Sequence, residues 1–174
     1  MRRYVIVLVA ALGLLGLSAG AATAASPHFK GNTTQTCTVS STTITCGASL
    51  AGLGNEDVTL SLSAPAEATF LCVNQGGNAA PGQNKVPFTA TATQVIPGSE
   101  IKNGNLTFSI TAPQETPTAT AEQAGCPNPN WTTQLSSIQF QSVSLTISQG
   151  GTLLFTCSAS GPFTEGQTVT LTCV

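Results

Sequence analysis

The sequence predicts an all-β fold built from two antiparallel sheets. Three observations predict it. Apolar and polar residues alternate with period two in one run after another, turn residues punctuate those runs, and six cysteines follow an N-terminal export pattern. No window shows a 3.6-residue apolar period with caps, so no helix is expected.

The first element is one that is removed. MRRYVIVLVAALGLLGLSAGAATAAS carries Arg2 and Arg3, an apolar run from Val5 to Leu17, and Ala22-Thr23-Ala24 as an A-x-A cleavage pattern. Residues 1–25 are expected to be a cleaved signal peptide, and 26–174 a single domain of about 150 residues. No cysteine follows the cleavage point to take a lipid, and the chain ends on TVTLTCV without a second apolar span. A secreted, extracellular protein is expected, with no membrane attachment after cleavage.

Six cysteines in an exported chain imply disulfides, and six allow fifteen pairings. Spacing favours one set. Cys37 and Cys46 lie symmetrically about Ser41-Thr42, where a hairpin also pairs Val39 with Ile44. The connection has either two residues or four. Cys157 and Cys173 lie symmetrically about Glu165, which leaves Cys72 with Cys126.

Further along, Val58-Leu60-Leu62 alternates with Thr59, Ser61 and Ser63. Between Ala66 and Val73 both faces are fairly apolar, as in a central strand. Leu106-Phe108-Ile110, Leu153-Phe155-Cys157 and Val169-Leu171-Cys173 alternate in the same way. Ile138 and Phe140 set one phase and Val143, Leu145 and Ile147 the other, so either a bulge near Gln141-Ser142 or two separate strands is expected. Turns are expected at Gly52–Asn55, Pro97-Gly98, Asn103-Gly104 and Gly150-Gly151. Eight or nine short strands without intervening helices point to a disulfide-stapled sandwich of immunoglobulin-like character, with a barrel as the alternative.

Charge narrows the partners. The mature segment keeps all seven acids and only Lys30, Lys85 and Lys102; three positive against seven negative charges gives −4. That inventory cannot neutralise a row of phosphates or draw the chain to anionic lipid, so neither nucleic acid nor membrane is expected as a partner.

Catalytic groups are scarce. The only histidine, His28, falls near the mature N-terminus, where a frayed chain is expected. An amino-terminal copper or nickel site would need Pro27 to give up an amide proton it does not have. One histidine cannot build a zinc site, and Glu56-Asp57 read as turn residues rather than a glycosidase pair. No enzyme activity, metal or cofactor is expected.

Two segments break the strand rhythm: residues 74–85, rich in Gly and amides, and residues 111–131, with four prolines in the first twenty positions. A long coil in a compact domain is either functional or tied down, and a Cys72–Cys126 bond would pin both at one end. Asn74, Gln75, Asn78, Gln83, Asn84, Lys85 and Trp131 are the candidate ligand-binding residues. Trp131 serves either as an exposed aromatic platform or as a plug over the core edge and disulfide. The amides serve either as ligand groups or as solvated turn formers.

Three stretches also carry a family resemblance: SPHFK at 26–30, AGLGNEDVTLSLSAPAEATFLCVNQGGNAAPGQNK at 51–85, and KNGNLTFSITAP with GCPNPNWTTQLSSIQFQSVSLTI at 102–113 and 125–147. Cys-x-Asn-x-Gly-Gly, ending in Asn-Lys, followed by a later Cys-Pro, resembles small secreted proteins of actinomycetes and related bacteria. The resemblance implies a secreted all-β domain of uncharacterised function, and it joins Cys72 to Cys126, which match that family's two usual cysteines. The chain departs from the pattern in its cysteines at 37, 46, 157 and 173, and in Trp131, where smaller or polar residues are expected.

The expected role is non-catalytic: binding an extracellular glycan or protein through loops 74–85 and 111–131. The alternatives are a structural or coat protein that self-associates through strand edges, an inhibitor of secreted hydrolases, and a small-molecule carrier like the actinomycete chromoprotein carriers.

Overall fold

The computed structural model describes residues 26–31 and 34–174. The expected signal peptide, 1–25, lies outside the described residues. The described chain is all-β, with two antiparallel sheets and three disulfides joining Cys37 to Cys46, Cys72 to Cys126 and Cys157 to Cys173.

The first sheet centres on β3 (Ile44–Ala51). One edge of β3 carries β7 (Leu106–Ala112); the other carries β2 (Thr36–Val39) and, at its far end, β1 (His28–Phe29). β11 (Thr168–Thr170) lies outside β2. The register pairs Val39 with Ile44 and Cys37 with Cys46, whose Cα atoms are 4.0 Å apart, the close approach of a non-hydrogen-bonded pair. The connection between the strands has four residues, Ser40–Thr43, with a single backbone bond closing it around Ser41-Thr42. Ser40 N–H donates to the Thr43 carbonyl at 2.8 Å, while the Ser40 hydroxyl accepts the Thr43 N–H at 3.0 Å. A serine side chain thus completes a turn that Ser-Thr suits poorly.

The second sheet centres on β4 (Val58–Val73), a single strand of 16 residues where two shorter ones were expected. Along one edge run β6 (Val86–Ile96) and β5 (Ala79–Pro81); along the other, end to end, β9 (Ser142–Gln149) and β8 (Thr132–Phe140). β10 (Thr152–Ser160) and β12 (Thr172–Cys173) follow outside β9. Pro65 does not break β4. The ladder to β9 ends at Ser63 and the ladder to β8 starts at Ala66, so the missing Pro N–H falls where no ladder bond is due. At that junction Gln141 N–H donates to the Pro65 carbonyl at 2.8 Å. One extra residue there moves the buried set from Ile138 and Phe140 to Val143, Leu145 and Ile147, which accounts for the slip in phase.

Twelve strands stand among the described residues, against the eight or nine expected. His28, expected to be frayed, lies in β1, paired to Ala51, and the next residue explains why. Phe29 pairs with Leu50, and its ring lies 4.5 Å from that of Phe155 in the other sheet. That contact ties the segment across the molecule.

The inward faces of both sheets form one core that includes Leu50, Leu60, Phe70, Phe140, Leu145 and Ile147. Outward, whole rows are hydroxyls: Thr168, Thr38, Thr45 and Thr111 in the first sheet; Thr91, Ser63, Ser144 and Ser158 in the second. Gln149 is the one buried polar residue among those described. Its Nε2 donates to the Glu56 carbonyl at 2.9 Å and its Oε1 accepts the Gly54 N–H at 3.0 Å, so it fastens the 52–57 turn to β9. Gln149→Leu leaves both backbone groups unpaired and is expected to lower the unfolding free energy by about 2–3 kcal/mol, as measured by urea titration.

Candidate functional site

The 74–85 segment is not a long coil. Ala79–Pro81 turns back as β5 and pairs with Leu71–Val73, which leaves a tight turn at Asn74–Asn78 and a second bend at Gly82–Lys85. The first turn is built by Asn74. Its Oδ1 accepts the N–H groups of Gly76 and Asn78, each at 2.9 Å, and its own N–H donates to the Asn78 carbonyl at 3.0 Å. Gly77 sits at φ +78°, which a residue with a side chain rarely adopts. The second segment also begins later than expected: Thr111 and Ala112 belong to β7, and the coil is 113–131.

That coil is tied to the first segment in three ways. Cys126 bonds Cys72, with Cα atoms 5.6 Å apart. Asn84 N–H donates to the Ala124 carbonyl at 3.1 Å. Gly82 passes so close to the coil that a Cβ there would lie 2.6 Å from the Ala124 oxygen and 2.9 Å from the Phe70 oxygen. Ala121 and Ala124 are buried, and the Thr133 hydroxyl donates to the Ala119 carbonyl at 2.5 Å. The turn at 119–126 is therefore a packed part of the structure, set against the bend at 82–84.

The seven candidate residues do not form one face. Asn74, Gln75 and Trp131 share a groove of about 410 Å³ with Gly76, Asn128 and Asn130. Gln83, Asn84 and Lys85 line a different, more open hollow beside Gln123. Asn78 lines neither, its backbone being spent in the turn. Lys85 is engaged on the sheet surface, where its Nζ lies 3.1 Å from both Glu67 Oε2 and Gln139 Oε1. Gln83 Nε2 donates to the Pro81 carbonyl at 3.3 Å.

The Trp131 groove is the better-built of the two. Trp131 is half-buried, neither a core plug nor a free platform, and its N–H donates to the Asn128 carbonyl at 3.1 Å. Asn128 repeats the device of Asn74, its Oδ1 accepting the Asn130 N–H at 2.9 Å. With both Oδ1 atoms held by backbone, the two amide nitrogens are left as fixed donors (each can give two hydrogen bonds). The Gln75 and Asn130 side chains make no hydrogen bond within the described residues. No lining residue carries a charge. Asn128 and Asn130 were not among the expected site residues. The signal for them was the Asn128-Pro129-Asn130-Trp131 run, whose amides lead directly into the aromatic and line the groove with it. Compared with known proteins, the chain matches no family model, no curated protein and no solved structure.

Proposed function

We propose that the chain is an exported, non-catalytic binding protein with an immunoglobulin-like sandwich, and that it holds a neutral extracellular glycan in the Trp131 groove. The observation that carries this is the groove's chemistry: an accessible aromatic ring among uncharged amides, two of them with their oxygens pinned by their own turns. A sugar ring has an apolar face that stacks on an indole and a rim of hydroxyls that amides satisfy in both directions. Three paired disulfides fit an oxidising compartment, as the export pattern in residues 1–25 requires. No carboxylate lines the groove, and two acids elsewhere in the fold are spent on structural contacts, Asp57 accepting the Gly98 N–H at 2.9 Å and Glu67 pairing with Lys85.

Trp131 is the only tryptophan in the chain, so intrinsic fluorescence reports on this groove alone. Titration with a panel of neutral oligosaccharides, chosen from a glycan array, is expected to shift that emission for at least one of them. By calorimetry, Trp131→Ala is expected to weaken binding at least about tenfold, equivalent to about 1.4 kcal/mol, with the thermal midpoint little changed. An array without hits, or affinity unaltered by Trp131→Ala, overturns the proposal.

A further inference from the structure

A second site lies away from the Trp131 groove, on the outer edge of β6, and does not depend on what that groove binds. The backbone of β6 alternates in direction. The Thr91 carbonyl accepts the Gln114 N–H at 3.2 Å. Thr93 bonds the Gln114 side chain through both of its backbone groups, N–H to Oε1 at 3.3 Å and carbonyl from Nε2 at 3.0 Å. Odd-numbered residues of β6 thus turn their backbone groups away from β4. Gln114 meets them as an added strand would, its side-chain amide standing in for a peptide group. One residue pair further along, Thr89 faces the same way opposite Pro65, and its N–H and carbonyl have no partner among the described residues.

Those groups open into a groove of about 540 Å³ between β6 and the strap that continues from Gln114. Phe88, Pro113 and Pro117 contribute its apolar walls, and Glu115 is the only charged side chain lining it. The usable edge is short. Pro87 has no N–H at one end, and Gln114 already occupies Thr91 and Thr93 at the other. That length excludes edge-to-edge pairing with the whole β6 of a second copy, which the strap would obstruct. The geometry points to a β-augmentation site: a short extended segment of a partner polypeptide pairs with Thr89 in line with Gln114, sets an apolar side chain between Phe88 and the strap prolines, and brings a lysine or arginine to Glu115. The backbone bonds confer binding, and the apolar walls and single carboxylate confer selectivity.

The test uses the full disulfide-bonded chain, and the probe is a displayed library of random heptapeptides. Selected peptides are made synthetically and titrated into isotope-labelled protein. Amide shifts are expected at Phe88–Thr91 and in the 113–118 strap, with a basic residue enriched among the selected sequences. Thr89→Pro removes the outward N–H without touching a ladder bond to β4, and is expected to weaken binding at least about tenfold. Glu115→Gln is expected to weaken it about threefold and to reduce its salt dependence. Methylating alternate backbone nitrogens of the peptide is expected to abolish binding to the unaltered chain, so the test holds even if Thr89→Pro fails to fold. Selected peptides that shift other residues, a library that yields no binder, or concentration-dependent shifts along β6 without peptide each overturn the proposal. The last of these identifies a second copy as the occupant instead.

Discussion

Replacing Cys72 and Cys126 together by serine is expected to lower the unfolding free energy by about 4 kcal/mol, the largest loss among the three disulfides. The chain-entropy argument ranks them by the span each closes: 54 residues for Cys72–Cys126, 16 for Cys157–Cys173 and 9 for Cys37–Cys46. The two shorter bonds are expected to contribute about 3 and 2.5 kcal/mol on the same basis. For a domain of this size the loss of Cys72–Cys126 corresponds to a fall of roughly 8–16 °C in the thermal midpoint. The bond has a second role the others lack, because it fastens the Asn74 turn beside the segment that carries Trp131. Its removal is therefore expected to red-shift Trp131 emission in the folded state and to weaken glycan binding, whereas serine pairs at 37/46 and 157/173 leave both unchanged. Calorimetric melting of the three double variants, with fluorescence read below each transition, measures both effects. Equal losses across the three pairs would show that the entropic ranking does not govern this chain.

What the sequence made legible follows the strength of its alternation. Cysteine symmetry found two disulfides because each bridges paired strands, Cys37 with Cys46 and Cys157 with Cys173, and β-pairing mirrors sequence positions about a centre. The phase change between Phe140 and Val143 was readable because large residues mark both sides of it. The run after Lys85 reads as β but marks its inward face poorly, because inward positions such as Ala90 and Ala92 are too small to stand out against the threonines between them. β5 was missed because Ala79-Ala80-Pro81 has almost no β signal, and backbone pairing to Leu71–Val73 overrides it. The same blind spot divided the candidate site. Amide content alone cannot distinguish a side chain spent on its own turn from one left to a ligand. Asn74 does both, its oxygen in the turn and its nitrogen in the groove, while Lys85 is drawn off to Glu67 by a strand pairing that places the 82–85 bend beside β4. Gln114 carried no local signal at all, since its role depends on which strand edge the fold brings beside it.

Phe70→Ala is expected to lower stability by about 3–5 kcal/mol, matching the loss of the long disulfide by a different route. Phe70 is 1% exposed and shares the inward face of β4 with Cys72, two residues away. Truncating it removes apolar contacts and leaves a cavity in the folded state, while the disulfide acts mainly by restricting the unfolded one. The two effects are separable with a milder probe. Phe70→Leu is expected to lose about 1–1.5 kcal/mol in the disulfide-bonded chain, and the same amount within about 0.5 kcal/mol in the Cys72→Ser/Cys126→Ser background. Urea titration of the four chains in that cycle gives the comparison directly. A larger loss in the serine background would mean that the disulfide also holds the packing around Phe70 in the folded state. Since the Phe70 carbonyl accepts the Gly82 N–H at 2.8 Å, such coupling would run from the core through the 82–84 bend to the turn at 119–126. Trp131 follows that turn in the chain, so stability at Phe70 and affinity in the groove would then rise and fall together.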